Sequence, residues 1–135
     1  MDLRVTWKIQ YGMFIVSSEH EGRKNGQIAN TFFQVTAEPP RFAVSLNKQN
    51  LTHDLVKKSG SFSVSVLTED APMPLMGKFG FKSGRDIDKF ADTEFMTGKT
   101  GIPIVKEHSL GFIECRVINS MDVGSHTLFI GEIID

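Results

Sequence analysis

Apolar and polar positions alternate along much of this chain. Phe42, Val44 and Leu46 are separated by Ala43 and Ser45, and Phe62, Val64 and Val66 by Ser63 and Ser65. A period of two puts alternate side chains on opposite faces, so both runs predict half-buried β-strands. Tyr11 to Ser17, Phe112 to Ile118 and Thr127 to Ile134 read the same way. The polar stretch from Glu19 to Gly26 holds two glycines and predicts a hairpin-type loop, with a turn signal at Asn25-Gly26.

Three segments leave that rhythm. Asn50 stands where it can cap a helix from Leu51 to Ser59, with Leu51, Leu55 and Val56 as its apolar face. Lys57 and Lys58 suit the negative end of the helix dipole, and Gly60 stops the helix. Pro74 to Phe79 predicts a second helix and Asp86 to Ala91 a third turn. Short strands spaced by turns, with few helices, predict an antiparallel barrel. Pattern alone leaves barrel and sandwich both open.

Composition narrows the function classes. The chain has 135 residues, enough for one domain with a core and too few for two. A net charge of −1, with 15 Lys and Arg scattered in runs no longer than two, argues against general nucleic-acid binding. No apolar stretch reaches membrane-spanning length, and MDLRVTWKIQ lacks a signal-peptide core, so a cytoplasmic address is expected. The single cysteine, Cys115, excludes an internal disulfide and a Cys-based zinc site. It shares a strand face with Ile113 and Val117. That placement reads as a small buried hydrophobe, with a redox thiol as the alternative.

Several familiar constellations fail. Gly98-Lys99-Thr100 ends like a phosphate-binding P-loop, but Thr93 stands where its first glycine belongs. His20-Glu21 opens like a zinc-protease motif, but Lys24 replaces the second histidine. His20, His53, His108 and His126 have no metal-ligand spacing. No metal is expected.

The stretch from Lys24 to Pro40, KNGQIANTFFQVTAEPP, is left as the candidate ligand cradle. Its small and hydroxylated residues let a flat or charged ligand approach the backbone, whose N–H groups then bind it. A polar edge strand is the other reading. The run resembles the signature segment of the flavin reductase-like family, the FMN-binding split barrels. Three further stretches match that family in order: SGRDIDKF (Ser83 to Phe90), TGIPIV (Thr100 to Val105), and the late pair GFIECRVI and GSHTLFIGEI. The resemblance implies a mainly β, Greek-key split β-barrel with two or three short helices. Residues 1–135 would form one FMN-binding domain. The last run, LFIGEIID, reads as a strand cut off where relatives continue.

The same resemblance implies a flavin reductase-like oxidoreductase. It would hold FMN without a covalent bond in the groove of a homodimer. NADH or NADPH would donate hydride, and free flavin, iron or a rubredoxin-type protein would accept electrons. Two other readings stay open: a non-enzymatic FMN electron carrier, and a cofactor-free dimerisation module.

FMN makes demands that named residues can meet. A phosphate dianion needs cations, hydroxyls or N–H groups. Asn47, Lys48, Asn50 and Thr52 lie where a strand enters a helix, whose first turn favours anions. Ser83, Arg85 and Lys89 form the second phosphate candidate, with Lys89 favoured on the phosphate. Asn25, Ala29, Asn30 and Thr31 would set N–H groups along the ring edge. Relatives often carry Met-Thr-Ala-Ser where this chain has Gln27-Ile28-Ala29-Asn30. His126, in Gly124-Ser125-His126, matches a family Gly-Asp-His and is the catalytic candidate, expected to position or polarise rather than carry the chemistry.

Overall fold

The computed structural model describes residues 1–135. Nine strands and two α-helices follow a short 3-10 turn, Arg4–Lys8. The strands are β1 (Phe14–His20), β2 (Arg23–Ala29), β3 (Phe32–Ala37), β4 (Pro40–Asn47), β5 (Ser61–Leu67), β6 (Phe95–Thr97), β7 (Pro103–Val105), β8 (Ser109–Asp122) and β9 (His126–Ile133). The helices are α1 (Leu51–Ser59) and α2 (Met73–Gly80).

Seven strands form one sheet in the order β2-β1-β5-β8-β9-β4-β3, and β6 and β7 pair separately. Every pairing is antiparallel. The sheet curls. Phe14 of β1 meets Phe32 of β3 at 4.9 Å between ring centroids, although the two strands lie near opposite ends of the sheet order. One core, holding Val16, Val44, Leu46, Val56, Phe62, Val64, Cys115 and Phe129, is drawn from α1 and from strands across that order. The interior is tight. A Cβ on Gly131 would stand 2.7 Å from both Cys115 Cβ and Phe62 Cζ. A second core gathers Ile15, Leu67, Leu75, Phe79, Phe90 and Val105. Ile15 and Val16 are neighbours in β1, so that strand is buried on both faces.

The helix from Leu51 to Ser59 forms as expected, with Leu51, Leu55 and Val56 buried and Gly60 closing it in the left-handed conformation at φ 73°. The second helix contains the expected Pro74 to Phe79. Two expectations need correction. Glu19 to Gly26 is not a loop: β1 and β2 meet at a tight turn of Glu21 (φ 51°) and Gly22 (φ 83°), and Asn25-Gly26 lies in mid-strand opposite Ser18 and Ser17. Gly26 is there because a Cβ would stand 2.7 Å from Ser17 Oγ and 3.1 Å from the Phe79 ring. The β5 strand is not half-buried. Ser63 and Ser65 are covered by β7 and donate hydrogen bonds to Pro103 O (2.6 Å) and Val105 O (2.7 Å). The TGIPIV run contains β7, and Asp86 to Ala91 folds as turns. Cys115 is fully buried, as its shared face with Ile113 and Val117 implies, and burial pushes its thiol up to about 12, which sets aside the redox alternative.

Candidate functional site: a two-ended cleft beside strand β2

Strand β2 carries Asn25, Gln27 and Ala29 at alternate positions, and two adjoining cavities run along it. The first, about 210 Å³, is lined by Asn25, Asn50, Ser83, Gly84, Lys89 and the Phe79–Lys82 corner after α2. The second, about 400 Å³, is lined by Ala29, Asn30, Thr31, Asn47, Met13, Ser45 and His126. Gln27, Ile28 and Asn50 line both, so the two form one cleft with a cationic end and an open end.

The cationic end is interlocked. Lys89 is only 3% exposed, and its ammonium donates to Gly26 O at 2.8 Å and to Phe79 O at 3.4 Å. It also lies 5.8 Å from the Phe79 ring centroid. Burial pulls its pKa down to about 8. No carboxylate pairs with it. Asn25, also 3% exposed, donates from Nδ2 to Thr52 Oγ1 at 2.9 Å, and its buried Oδ1 has no partner. Gly84 lies so close that a Cβ there would fall 2.1 Å from that Oδ1. A buried cation without a counter-ion and an orphaned buried acceptor, lining the same cavity, fit a ligand with an anionic group and hydroxyl donors.

Asn50 corrects an expectation. It occupies the cap position of α1 with extended backbone, yet its side chain makes no capping bond. It donates to Gln27 Oε1 instead, at 3.2 Å across the cleft. The first turn of α1 therefore keeps its amides free of a side-chain cap beside the cationic end.

The open end is shallower. Asn30 and Asn50 are exposed, while Thr31, Asn47 and His126 are half-buried. His126 opens β9 after Gly124 (φ 103°), and its Nδ1 lies 2.8 Å from Ser125 Oγ. Asn47 pairs with His126 across β4 and β9.

Nine of the twelve expected site residues thus line the cleft: Asn25, Ala29, Asn30, Thr31, Asn47, Asn50, Ser83, Lys89 and His126. Thr52 stands behind its wall as the partner of Asn25. The fold does not bring Lys48 or Arg85 into it. Lys48 is ion-paired with Asp122 at 2.6 Å, and Arg85 with Asp54 at 2.8 Å. Gln27, Ile28, Ser45, Phe81 and Lys82 were not foreseen as lining residues. Gln27 was legible in principle, because it shares the alternation of Asn25 and Ala29 once β2 is read as a strand. No three His, Cys, Asp or Glu side chains gather as a metal-binding group.

A curled antiparallel sheet with a cationic, small-residue cleft along one strand defines a split-barrel cofactor domain. The sequence profile of the flavin reductase like domain matches residues 7–135, and the chain belongs to that family, as a flavin-using oxidoreductase domain. It is 52% identical over 135 residues to the ferric-chelate reductase (NAD(P)H) of Archaeoglobus fulgidus, covering all of this chain and 80% of that protein. It is 42% identical to the high molecular weight rubredoxin of Moorella thermoacetica, covering all of this chain but 59% of that protein. The FMN-binding protein of Thermus thermophilus, solved with bound 1-cyclohex-2-enone, superposes with a TM-score of 0.89 at 29% identity, over 100% of this chain and 75% of that one. No helix here is long and apolar enough to cross a membrane.

Proposed function

We propose that this domain binds FMN non-covalently along β2, phosphate at the cationic end and ring at the open end, and takes reducing equivalents from NADH or NADPH. The observation that carries this reading is the buried Lys89 ammonium, which has carbonyl partners but no counter-ion. A phosphate supplies that counter-charge. The Ser83 hydroxyl, Lys82 and the uncapped amides of α1 surround the same space. The small size of this end favours a terminal phosphate, and hence FMN over FAD. Asn25 Oδ1 would accept from a ribityl hydroxyl. At the open end Ala29 lets a flat ring lie close to the backbone, and Asn30 and Thr31 offer N–H groups to its edge. His126 orients what approaches that ring. When bound, the flavin supplies the electron exchange, and the protein supplies position and field.

The names of the two sequence relatives, a ferric-chelate reductase and a high molecular weight rubredoxin, support an iron chelate or a rubredoxin-type protein as electron acceptor. The rubredoxin-type relative also favours a second reading, an FMN electron carrier loaded by a protein donor. A homodimer is the third part of the proposal. Val5, Trp7, Ile9 and Tyr11 lie exposed before β1, and Phe33 and Val35 lie exposed on β3, a terminal strand of the sheet. Exposed apolar rows beside an open strand edge suit a second copy.

Absorbance of protein desalted after incubation with FMN, then titrated anaerobically with NADH and NADPH, tests the proposal. A retained flavin that bleaches within seconds is expected. Retention without bleaching favours the carrier, and no retention removes the cleft reading. Light scattering at micromolar concentration checks the dimer.

A further inference from the structure

One buried histidine lies outside the cleft and joins its two ends. His53, in the first turn of α1, is 5% exposed, and both ring nitrogens have partners. Nδ1 lies 3.0 Å from Asp54 Oδ1, and Nε2 lies 2.8 Å from Thr127 Oγ1. The other Asp54 oxygen accepts from Arg85 Nη2 at 2.8 Å. Arg85 follows Ser83 and Gly84, which line the cationic end, and Thr127 follows His126, which lines the open end. An unbroken chain of side-chain bonds therefore crosses from the 83–85 turn, through α1, to the first residues of β9.

The direction of each bond follows from the chemistry. Burial works to raise the Asp54 carboxyl, but the bonds from His53 and Arg85 outweigh it and hold it below the usual range. An ionised carboxylate only accepts, so His53 Nδ1 must carry a proton. In the neutral ring Nε2 is then an acceptor, and the Thr127 hydroxyl donates to it. Asp54 thus sets the tautomer of His53, and the tautomer sets the Thr127 rotamer. The His53 ring also packs 5.6 Å from the Phe129 ring of the same strand.

Consecutive strand residues point to opposite faces, so holding Thr127 on one face fixes how His126 is presented on the other. We propose that His53 is a positioning residue, which pins the start of β9 so that the His126 imidazole addresses the open end of the cleft. The consequence for turnover rests on the cleft being a flavin site; the positioning itself does not.

Two measurements test it. In flavin-free protein, nitrogen-15 spectra of the four histidines should show His53 protonated at Nδ1 and bare at Nε2. Thr127→Val removes the donor while keeping the side-chain shape, and it should shift the His126 ring resonances. A His53 protonated only at Nε2, or a His126 signal unmoved by Thr127→Val, overturns the proposal whether or not flavin binds. The second measurement is flavin reduction by nicotinamide. Thr127→Val and His53→Asn, which keeps reach only to Asp54, should each slow it about three- to tenfold with flavin retention unchanged. The double variant should be no slower than either single one, because both break the same link. His53→Gln, which can still reach Thr127, should recover most of the rate. Additive losses, or losses that track thermal stability alone, overturn the proposal. Thr127→Val keeps the test valid if the His53 variants fold poorly.

Discussion

The two ends of the cleft are built differently. At the cationic end Asn25, Thr52 and Lys89 are all nearly inaccessible and bonded to one another's surroundings. At the open end Asn30 is exposed, and Thr31, Asn47 and His126 are only half-buried. A buried, fixed donor loses little freedom when a ligand arrives, so affinity should reside at the first end. A group that must meet a second substrate needs access, so rate should be set at the other. The difference predicts that variants at the two ends separate binding from turnover.

Lys89→Ala should have the largest effect. A charged hydrogen bond is worth about 1.5–3 kcal/mol, so FMN affinity should fall more than tenfold by fluorescence titration. Unchanged affinity would remove Lys89 from the site and reverse the assignment of the ends. The pH dependence follows from the same ammonium. Its pKa is about 8 in the fold against an ordinary 10.5. Phosphate binding needs the protonated form, so FMN affinity should decline as pH rises above about 8 in wild type and be flat there in Lys89→Met. For the flavin-free protein the sign is opposite. Between about 8 and 10.5 the unfolded chain holds the proton that the folded chain has released. This group's contribution therefore makes stability rise with pH across that window, and Lys89→Met should lose the rise. His126→Ala should act on the other end, slowing reduction by nicotinamide about three- to tenfold in stopped flow with FMN affinity nearly constant. The reverse pattern would make His126 a cofactor ligand and erase the contrast.

How much of this contrast was legible depended on whether local pattern or tertiary packing decided the element. The α1 helix was readable residue by residue, because its apolar spacing and its Gly60 stop are local signals. The β1–β2 hairpin was misplaced because Asn25-Gly26, a common turn pair, serves here as a buried strand step. Gly26 is demanded by the buried Ser17 hydroxyl on the paired strand and by the Phe79 ring, more than fifty residues away in sequence, and no local rule sees that crowding. Polar Ser63 and Ser65 looked like a solvent face for the same reason: their partners, Pro103 O and Val105 O, arrive from a distant strand. Most of the cleft was found through the family resemblance. Lys48 and Arg85 fall outside the cleft, because charge in a turn says nothing about which acid it will meet. Asp122 and Asp54 take them.

Asn50 supplies the smallest and most discriminating test, because it lies where the two ends join. A capping asparagine typically costs about 0.5–2 kcal/mol when replaced by alanine. Asn50 makes no capping bond, and its amide reaches Gln27 instead. Asn50→Ala should therefore lower stability by less than about 0.5 kcal/mol in urea, below the capping range. It should weaken FMN about two- to fivefold, the scale of one ordinary hydrogen bond. A stability loss near 1 kcal/mol with affinity intact would return Asn50 to the helix. The α1 amides would then be capped rather than free for phosphate, and the cationic end would rest on Lys89 and the 82–84 turn alone.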